Sequence, residues 1–277
     1  MNAVPPMTPY AKAALVVVSG LPAPRGVGGV LVRSASSPAP PGVLAFVDQE
    51  GGLVKTFAPL PPWRAASAYG SAAESYASGR STGRALRRAG IDVDLAPVLD
   101  LADGPLGSRH FRDPHFGVAF ARGLAAGGTG ACAKHFPGLG SASITTDASP
   151  HVHAVLRARD LAPFQAAVRA GVPCVMVSNA FYRRFGRFRA TLEPEPYRLL
   201  RRLGFRGVAI TDSLSIVREA PVERWARQAA RAGADMLLFT SGAHARRAIR
   251  ALLPLARRGE LDEHVARVLA LRRALRR

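Results

Sequence analysis

The fold is decided by one stretch of the chain, which reads Gly128-Thr129-Gly130-Ala131-Cys132-Ala133-Lys134-His135-Phe136-Pro137-Gly138-Leu139-Gly140. Its first half is small and apolar, which is typical of a strand buried on both faces. The strand ends on Lys134 and His135, although burying an unpaired charge is costly. Glycines and a proline then turn the chain. We therefore expect this strand to carry a cation and an imidazole to the opening of a binding site.

Similar apolar runs recur along the chain, and most of them precede a segment with helical spacing. The predicted strands are 14–19, 28–32, 43–47, 92–97, 128–133, 172–177, 207–211 and 235–239. This alternation predicts a (β/α)₈ barrel, with residues 1–277 forming a single domain. A doubly wound sheet is the alternative, but it usually needs fewer strands.

Polar side chains collect where these predicted strands end. They are Asp48, Asp100, Lys134, His135, Asn179 and Asp212. In a barrel, the carboxyl ends of all strands open on the same face, so these residues are expected to lie together. Such a cluster suits a polar ligand with many hydroxyl groups.

The formal net charge is +19, nearly all of it from arginine. This charge suits an anionic partner, but it also follows from a composition rich in Ala, Arg, Gly and Pro. Because the arginines are scattered over predicted helix surfaces without interleaved aromatic residues, we favour the second explanation. We expect a monomer that binds neither nucleic acid nor a membrane.

The apolar run at 13–19 follows Lys12, so a weak export signal has to be considered. Its β-branched valines favour a first strand instead, which predicts a cytoplasmic protein. The two cysteines, Cys132 and Cys174, both fall in predicted buried strands. We expect them to be reduced core residues, and no His, Cys or carboxylate spacing implies a metal or another cofactor.

Five stretches resemble the single-domain family 3 glycoside hydrolases, the β-N-acetylglucosaminidases that trim peptidoglycan fragments. The stretches are Val47 to Gly52, Asp94 to Asp100, Ser108 to Phe111, Lys134 to Gly140, and Gly204 to Leu214. They occur in the family's order and extend over nearly the whole chain. Asp-Gln-Glu-Gly-Gly and Lys-His-Phe-Pro-Gly are specific signals when they occur together.

The resemblance implies a retaining mechanism in which Asp212 is the nucleophile. It also implies that Asp48, Arg109, Lys134 and His135 bind the sugar. Gln49 and Glu50 are expected to tie neighbouring loops together. A helix N-cap is the structural alternative for Asp212, since Thr211-Asp212-Ser213 are all capping residue types.

The match weakens in residues 141–153, which we call the acid loop because the family carries its general acid there. By position, Asp147 stands where the family has a histidine, and His151 and His153 follow closely. Three interpretations stay open. Asp147 is the acid, or His151 or His153 is the acid with Asp147 as its partner, or the loop has lost the acid.

The sequence therefore supports two functions. The first is a β-N-acetylhexosaminidase that removes N-acetylglucosamine from peptidoglycan-derived or related oligosaccharides through a covalent glycosyl-aspartate. The alternative is an impaired barrel that binds cell-wall sugars or an anionic partner. Sequence does not separate hydrolysis from phosphorolysis, in which phosphate replaces water as the acceptor.

Overall fold

The structure, a computed structural model, describes residues 5–217 and 220–276. The strands are β1 Val17–Ser19, β2 Gly29–Leu31, β3 Leu44–Val47, β4 Gln49–Gly51, β5 Val54–Lys55, β6 Val93–Asp94, β7 Gly130–Phe136, β8 Cys174–Val177, β9 Val208–Thr211 and β10 Leu237–Phe239. The α-helices are α1 Pro9–Leu15, α2 Ala72–Arg88, α3 Pro114–Ala126, α4 Ala162–Arg169, α5 Pro194–Arg202, α6 Val222–Ala232, α7 Gly242–Arg257 and α8 Asp262–Leu275.

Eight parallel strands form the barrel in the order β10-β1-β2-β3-β6-β7-β8-β9. An isolated parallel bridge between Ile210 and Met236 joins the two ends of this sheet. Strands β4 and β5 form a separate antiparallel hairpin directly after β3. The predicted (β/α)₈ barrel is thus confirmed, and all eight strands open on one face.

The barrel strands are short and mostly apolar, and each is buried along its whole length. Helices cover the outside of this barrel with their apolar faces. Helices α2 and α3 pack closely against each other, with glycines at their contact. A Cβ atom on Gly79 would lie 2.2 Å from the carbonyl oxygen of Phe120, so only glycine permits this approach.

Local sequence explains where α2 begins and ends. The Ser71 side chain accepts a hydrogen bond from the backbone N–H of Glu74 at 3.2 Å, which caps the first turn. Arg87 and Arg88 lie in the last turn, where cations interact favourably with the helix dipole. Gly90 follows with φ of +77°, a conformation that favours glycine.

Two details differ from the sequence predictions. The region 14–19 was predicted as strand throughout, but α1 extends to Leu15 and the strand begins at Val17. The β4–β5 hairpin was not predicted, because Gln49-Glu50-Gly51 has no apolar alternation. The helical spacing of residues 262–277 also predicts a last helix that reaches Arg277, a residue that lies outside the described residues.

The prediction of two reduced cysteines was wrong, because Cys132 and Cys174 form a disulfide. They are direct register partners on the neighbouring strands β7 and β8, with Cα atoms 4.3 Å apart. Sequence spacing gave no sign of this pairing, since a contact between two parallel strands is separated by a whole helix and its loops.

Within residues 5–217 and 220–276, no helix combines the length and the apolar character that crossing a membrane requires.

Candidate active site

The predicted site residues come from different strands and meet at the carboxyl-terminal opening of the barrel. Asp48 follows β3, Lys134 and His135 are in the last part of β7, and Asp212 follows β9. Arg109 comes from a short 3₁₀ helix in the segment after β6. The barrel topology therefore brings together residues that are far apart in the sequence.

Lys134 is the centre of a network of charges at this opening. Its Nζ lies 2.7 Å from Asp48 Oδ1 and 2.7 Å from Glu50 Oε1. Arg109 donates to both oxygens of Glu50, from Nε at 2.8 Å and from Nη2 at 2.9 Å. Lys134 and Glu50 are 2% and 5% exposed, so each charge is stabilised by its partners rather than by water.

Glu50 holds the two cations in place. Burial raises the pKa of its carboxyl, but the charge of Lys134 and the hydrogen bonds of Arg109 outweigh burial and lower the pKa to about 2. Glu50 thus stays charged and orients Lys134 and Arg109. Asp48 has a side chain that is 36% exposed, which leaves it accessible to a ligand.

Gln49 has the structural role predicted for it, since it ties the hairpin to the following loop. Its Nε2 donates to the carbonyl oxygens of Phe57 and Pro61 at 3.0 Å, and its Oε1 accepts from the N–H of Phe57 at 2.8 Å. These bonds fix the segment that carries Asp48 and Glu50.

His135 is held by Asp100, a carboxylate from the loop after β6. Asp100 Oδ2 lies 2.7 Å from His135 Nδ1, and Oδ1 accepts from the N–H of Leu139 at 2.6 Å. A carboxylate acceptor at Nδ1 favours the tautomer with a proton on that nitrogen. Asp100 therefore fixes both the imidazole and the turn that follows it.

Asp212 is partly buried, and its Oδ1 accepts from the N–H of Ser213 at 2.6 Å. Burial raises the pKa of its carboxyl above the ordinary value, and the carboxylate of Asp147 adds to this increase. The charges of His135 and Lys134 and the Ser213 hydrogen bond lower the same pKa by less. The charges of His135, Lys134 and Asp147 therefore act on the carboxyl of Asp212.

The acid loop places its three candidate residues differently. The side chain of Asp147 is 75% exposed and accepts a hydrogen bond from Arg109 Nη1 at 3.0 Å. His151 and His153 are exposed and stack on Phe181, with ring centroids 6.2 Å and 5.2 Å apart. Asp147 thus contacts Arg109, whereas both histidines lie against the segment that follows β8.

Two buried residues near the opening were not among the site residues predicted from the sequence. Asp94 on β6 accepts from the N–H of Gln49 at 3.0 Å, while its Oδ2 has no hydrogen-bond partner among the described residues. Burial raises the pKa of Asp94 well above its ordinary value. A carboxyl inside the predicted strand 92–97 was a signal that could have been noticed.

The second missed residue is Arg189, which lies in the segment between β8 and α5 and is 4% exposed. Arg189 lies in a stretch rich in arginine and phenylalanine, residues 181–189, in which Arg187 is exposed. The sequence therefore gave no sign that Arg189 is the buried arginine near Asp212.

Among the described residues, no group of three or more His, Cys, Asp or Glu side chains is placed to hold a metal ion.

Comparison with known families gives a match over most of the chain. The family described as "Glycosyl hydrolase family 3 N terminal domain" matches residues 27–271. The chain is 35% identical over 205 residues to a "Beta-hexosaminidase" of Stenotrophomonas maltophilia strain R551-3, which covers 66% of this chain. It is also 35% identical over 210 residues to a protein of the same description from Xanthomonas campestris pv. campestris strain B100.

Solved structures give the same result for the fold. A glycoside hydrolase family 3 β-N-acetylglucosaminidase from Paenibacillus sp. has a TM-score of 0.86 at 27% identity, and covers 98% of this chain and 63% of its own. A family 3 glycosyl hydrolase from Mycobacterium smegmatis has a TM-score of 0.83 at 27% identity, and covers 96% of this chain and 97% of its own. The chain spans about 61% of the length of the curated relatives that it matches.

Proposed function

The chain belongs to glycosyl hydrolase family 3, and from this membership we propose that it is a retaining β-N-acetylhexosaminidase with Asp212 as its nucleophile. The observation that carries the proposal is the position of Asp212. Its carboxyl lies after β9 at the barrel opening, close enough to His135, Lys134 and Asp147 for their charges to act on it. We also propose that residues 1–277 act as one barrel domain.

The sugar is bound before the reaction by the network around Lys134. Asp48 accepts hydrogen bonds from sugar hydroxyls, while Lys134, Arg109 and His135 donate to hydroxyls and to the N-acetyl group. Charge-assisted hydrogen bonds of this kind contribute about 1.5–3 kcal/mol each. Since Glu50 and Asp100 already orient the cations and the imidazole, little reorganisation is needed when the sugar arrives.

The reaction proceeds in two steps. In the first, an oxygen of Asp212 forms a bond to the anomeric carbon while the glycosidic bond breaks, and the leaving oxygen takes a proton from the acid loop. In the second, water attacks the glycosyl-aspartate, gives its proton back to the acid loop and releases the sugar. The substrate that we propose is a β-linked N-acetylglucosamine in peptidoglycan-derived or related oligosaccharides.

Three residues of the acid loop, Asp147, His151 and His153, are candidates for the proton donor. Asp147 accepts a hydrogen bond from the cation Arg109, which is the arrangement of a charged carboxylate, whereas a general acid has to carry a proton. Substrate binding changes this arrangement if a sugar group takes the place of Asp147 on Arg109. His151 or His153 serves as the donor if the loop moves them toward the glycosidic oxygen.

The same hydrogen bond favours the second candidate function, a barrel that binds cell-wall sugars with little turnover. In that case Asp147 stays on Arg109, and no group of the acid loop protonates the leaving oxygen.

A series of aryl N-acetyl-β-glucosaminides with good and poor leaving groups tests both candidates. We expect turnover by the wild type and its loss in Asp212→Asn. If Asp147 is the acid, Asp147→Ala slows the poor leaving groups by about 10²–10⁴-fold and the good ones much less. Equal slowing of all substrates would remove Asp147 from this role.

Saturable binding without turnover by the wild type would favour the impaired barrel. Parallel assays with and without phosphate separate hydrolysis from phosphorolysis, because a phosphorolytic enzyme releases the sugar as its phosphate ester. We expect the free sugar in both assays.

A further inference from the structure

Arg189 is buried in an unusual environment, since it lies between two aromatic rings. Its guanidinium carbon is 4.9 Å from the ring centroid of Phe181 and 5.2 Å from that of Trp225. In residues 5–217 and 220–276, no carboxylate forms an ion pair with it. Buried charges are normally paired, so an arginine stacked in this way is expected to serve a specific purpose.

The charge of Arg189 acts on Asp212. Burial lowers the pKa of the guanidinium, and the Asp212 carboxylate acts in the opposite direction. A guanidinium remains charged at any ordinary pH, so this influence is mutual and favours a charged Asp212. The cation therefore contributes to the electrostatic field at the proposed nucleophile.

The same side chain also holds one end of the acid loop. Arg189 Nη1 donates to the carbonyl oxygen of Pro150 at 2.6 Å and to that of Asn179 at 3.4 Å. Pro150 directly precedes His151. One guanidinium thus joins the loop that carries the candidate acids to the segment that follows β8.

Phe181, on which Arg189 stacks, completes this attachment. Its N–H donates to the carbonyl oxygen of Val152 at 2.8 Å, and its carbonyl oxygen accepts from the N–H of Ala154 at 2.9 Å. The rings of His151 and His153 lie on the same phenylalanine. Arg189 and Phe181 together fix residues 150–154 by hydrogen bonds, stacking and a buried cation.

We propose that Arg189 is a positioning residue that holds the acid loop against the segment after β8 and so sets the distance between the proton donor and Asp212. This proposal rests on the function proposed above, because it assigns Arg189 a role in the same reaction. The proposal also makes a structural claim, that Arg189 attaches residues 150–154 to the segment after β8. This claim can be tested without measuring any activity.

The first test measures that attachment by hydrogen exchange in Arg189→Met, Arg189→Lys and the control Arg187→Met. Arg187 is exposed and stacks on Phe188 at 5.2 Å, so it matches Arg189 in residue type and in aromatic contact. We expect the amides of Phe181 and Ala154 to exchange about tenfold faster or more in Arg189→Met and to be unchanged in Arg187→Met.

The second test uses the aryl glycoside series. With poor leaving groups, we expect kcat/KM of Arg189→Met to fall by about 10²-fold, because a displaced catalytic group loses its alignment. With good leaving groups the loss is expected to be at least several-fold smaller. Arg189→Lys keeps the charge and one donor, so it should lie between Arg189→Met and the wild type.

Unchanged exchange at Phe181 and Ala154 in a folded Arg189→Met would overturn the proposal, and so would an equal loss for all leaving groups. If Arg189→Met does not fold, the same two criteria apply to Arg189→Lys. If the wild type releases no aryl group, the proposed function fails and the exchange rates alone decide whether Arg189 anchors the acid loop.

Discussion

Lys134 shows at the scale of a residue how a charge is accommodated in a buried position. Its ammonium is fully paired by Asp48 and Glu50, each 2.7 Å away, so its burial is compensated. The sequence predicted the position of Lys134 because a strand that ends on a cation is unusual. It did not predict that Glu50 is shared by Lys134 and Arg109, since that contact depends on side-chain geometry.

We predict that Glu50→Gln destabilises the protein most at neutral pH. The pKa of Glu50 falls from 4.5 to about 2 on folding, so its contribution is complete above pH 4.5 and is lost as the pH falls toward about 2. Breaking a buried ion pair costs about 3–5 kcal/mol. Denaturant unfolding of both proteins between neutral pH and about pH 2 measures the difference.

Glu263→Gln is the control for this prediction, because Glu263 forms an exposed pair with Arg267 on α8. Such surface pairs contribute about 1 kcal/mol or less. The role given to Glu50 would be contradicted if the free energies of unfolding of wild type and Glu50→Gln differed by the same amount at every pH.

We predict that Asp147→Asn shifts the acid limb of the pH profile to lower pH. The nucleophile has to be charged, so kcat/KM falls as the pH drops through the pKa of Asp212, which burial raises. The carboxylate of Asp147 raises this pKa further, and its removal lowers it again. We expect the acid limb of the profile to move to lower pH, measured with an aryl glycoside that has a good leaving group.

A shift of the acid limb to higher pH in Asp147→Asn would contradict this electrostatic coupling. Glu263→Gln should leave the limb unchanged, which controls for the general effect of removing one negative charge from this basic protein.

At the scale of elements, the eight barrel strands could be predicted because each contains a short apolar run. The helices followed from their helical spacing. The β4–β5 hairpin and the helical start of the region 14–19 were missed, because polar hairpins and short helices carry no periodic signal. The conformation of the acid loop was beyond prediction for the same reason.

We predict that Gly79→Ala destabilises the contact between α2 and α3. The new Cβ would lie 2.2 Å from the backbone oxygen of Phe120, so the helices have to separate. Overpacking of this kind costs about 1–3 kcal/mol, which outweighs the better helix propensity of alanine. Thermal unfolding measures the change.

Gly70→Ala is the matched control, because within the described part of the chain only Glu74 Oε2, at 3.7 Å, lies within 4 Å of its added Cβ. It should change stability by less than about 1 kcal/mol. If Gly79→Ala were as stable as Gly70→Ala, the close packing of α2 on α3 would not contribute to the stability of the protein.

At the scale of the whole molecule, barrel closure brings the site residues together. Asp48, Arg109, Lys134 and Asp212 come from segments after or within β3, β6, β7 and β9, and only the (β/α)₈ topology places them at one opening. The sequence predicted this gathering from the polar ends of apolar strands. It could not predict the link from Arg189 to Pro150, because that contact joins two irregular segments.

The central claim is that Asp212 attacks the sugar, and trapping the covalent intermediate tests it most directly. A fluorinated N-acetylglucosaminyl donor that forms the intermediate quickly and releases it slowly is incubated with the protein, which is then digested for mass spectrometry. We predict one sugar on the peptide that contains Asp212 and none in Asp212→Asn. An adduct on a different residue, or turnover of ordinary substrate by Asp212→Asn at the wild-type rate, would contradict the account.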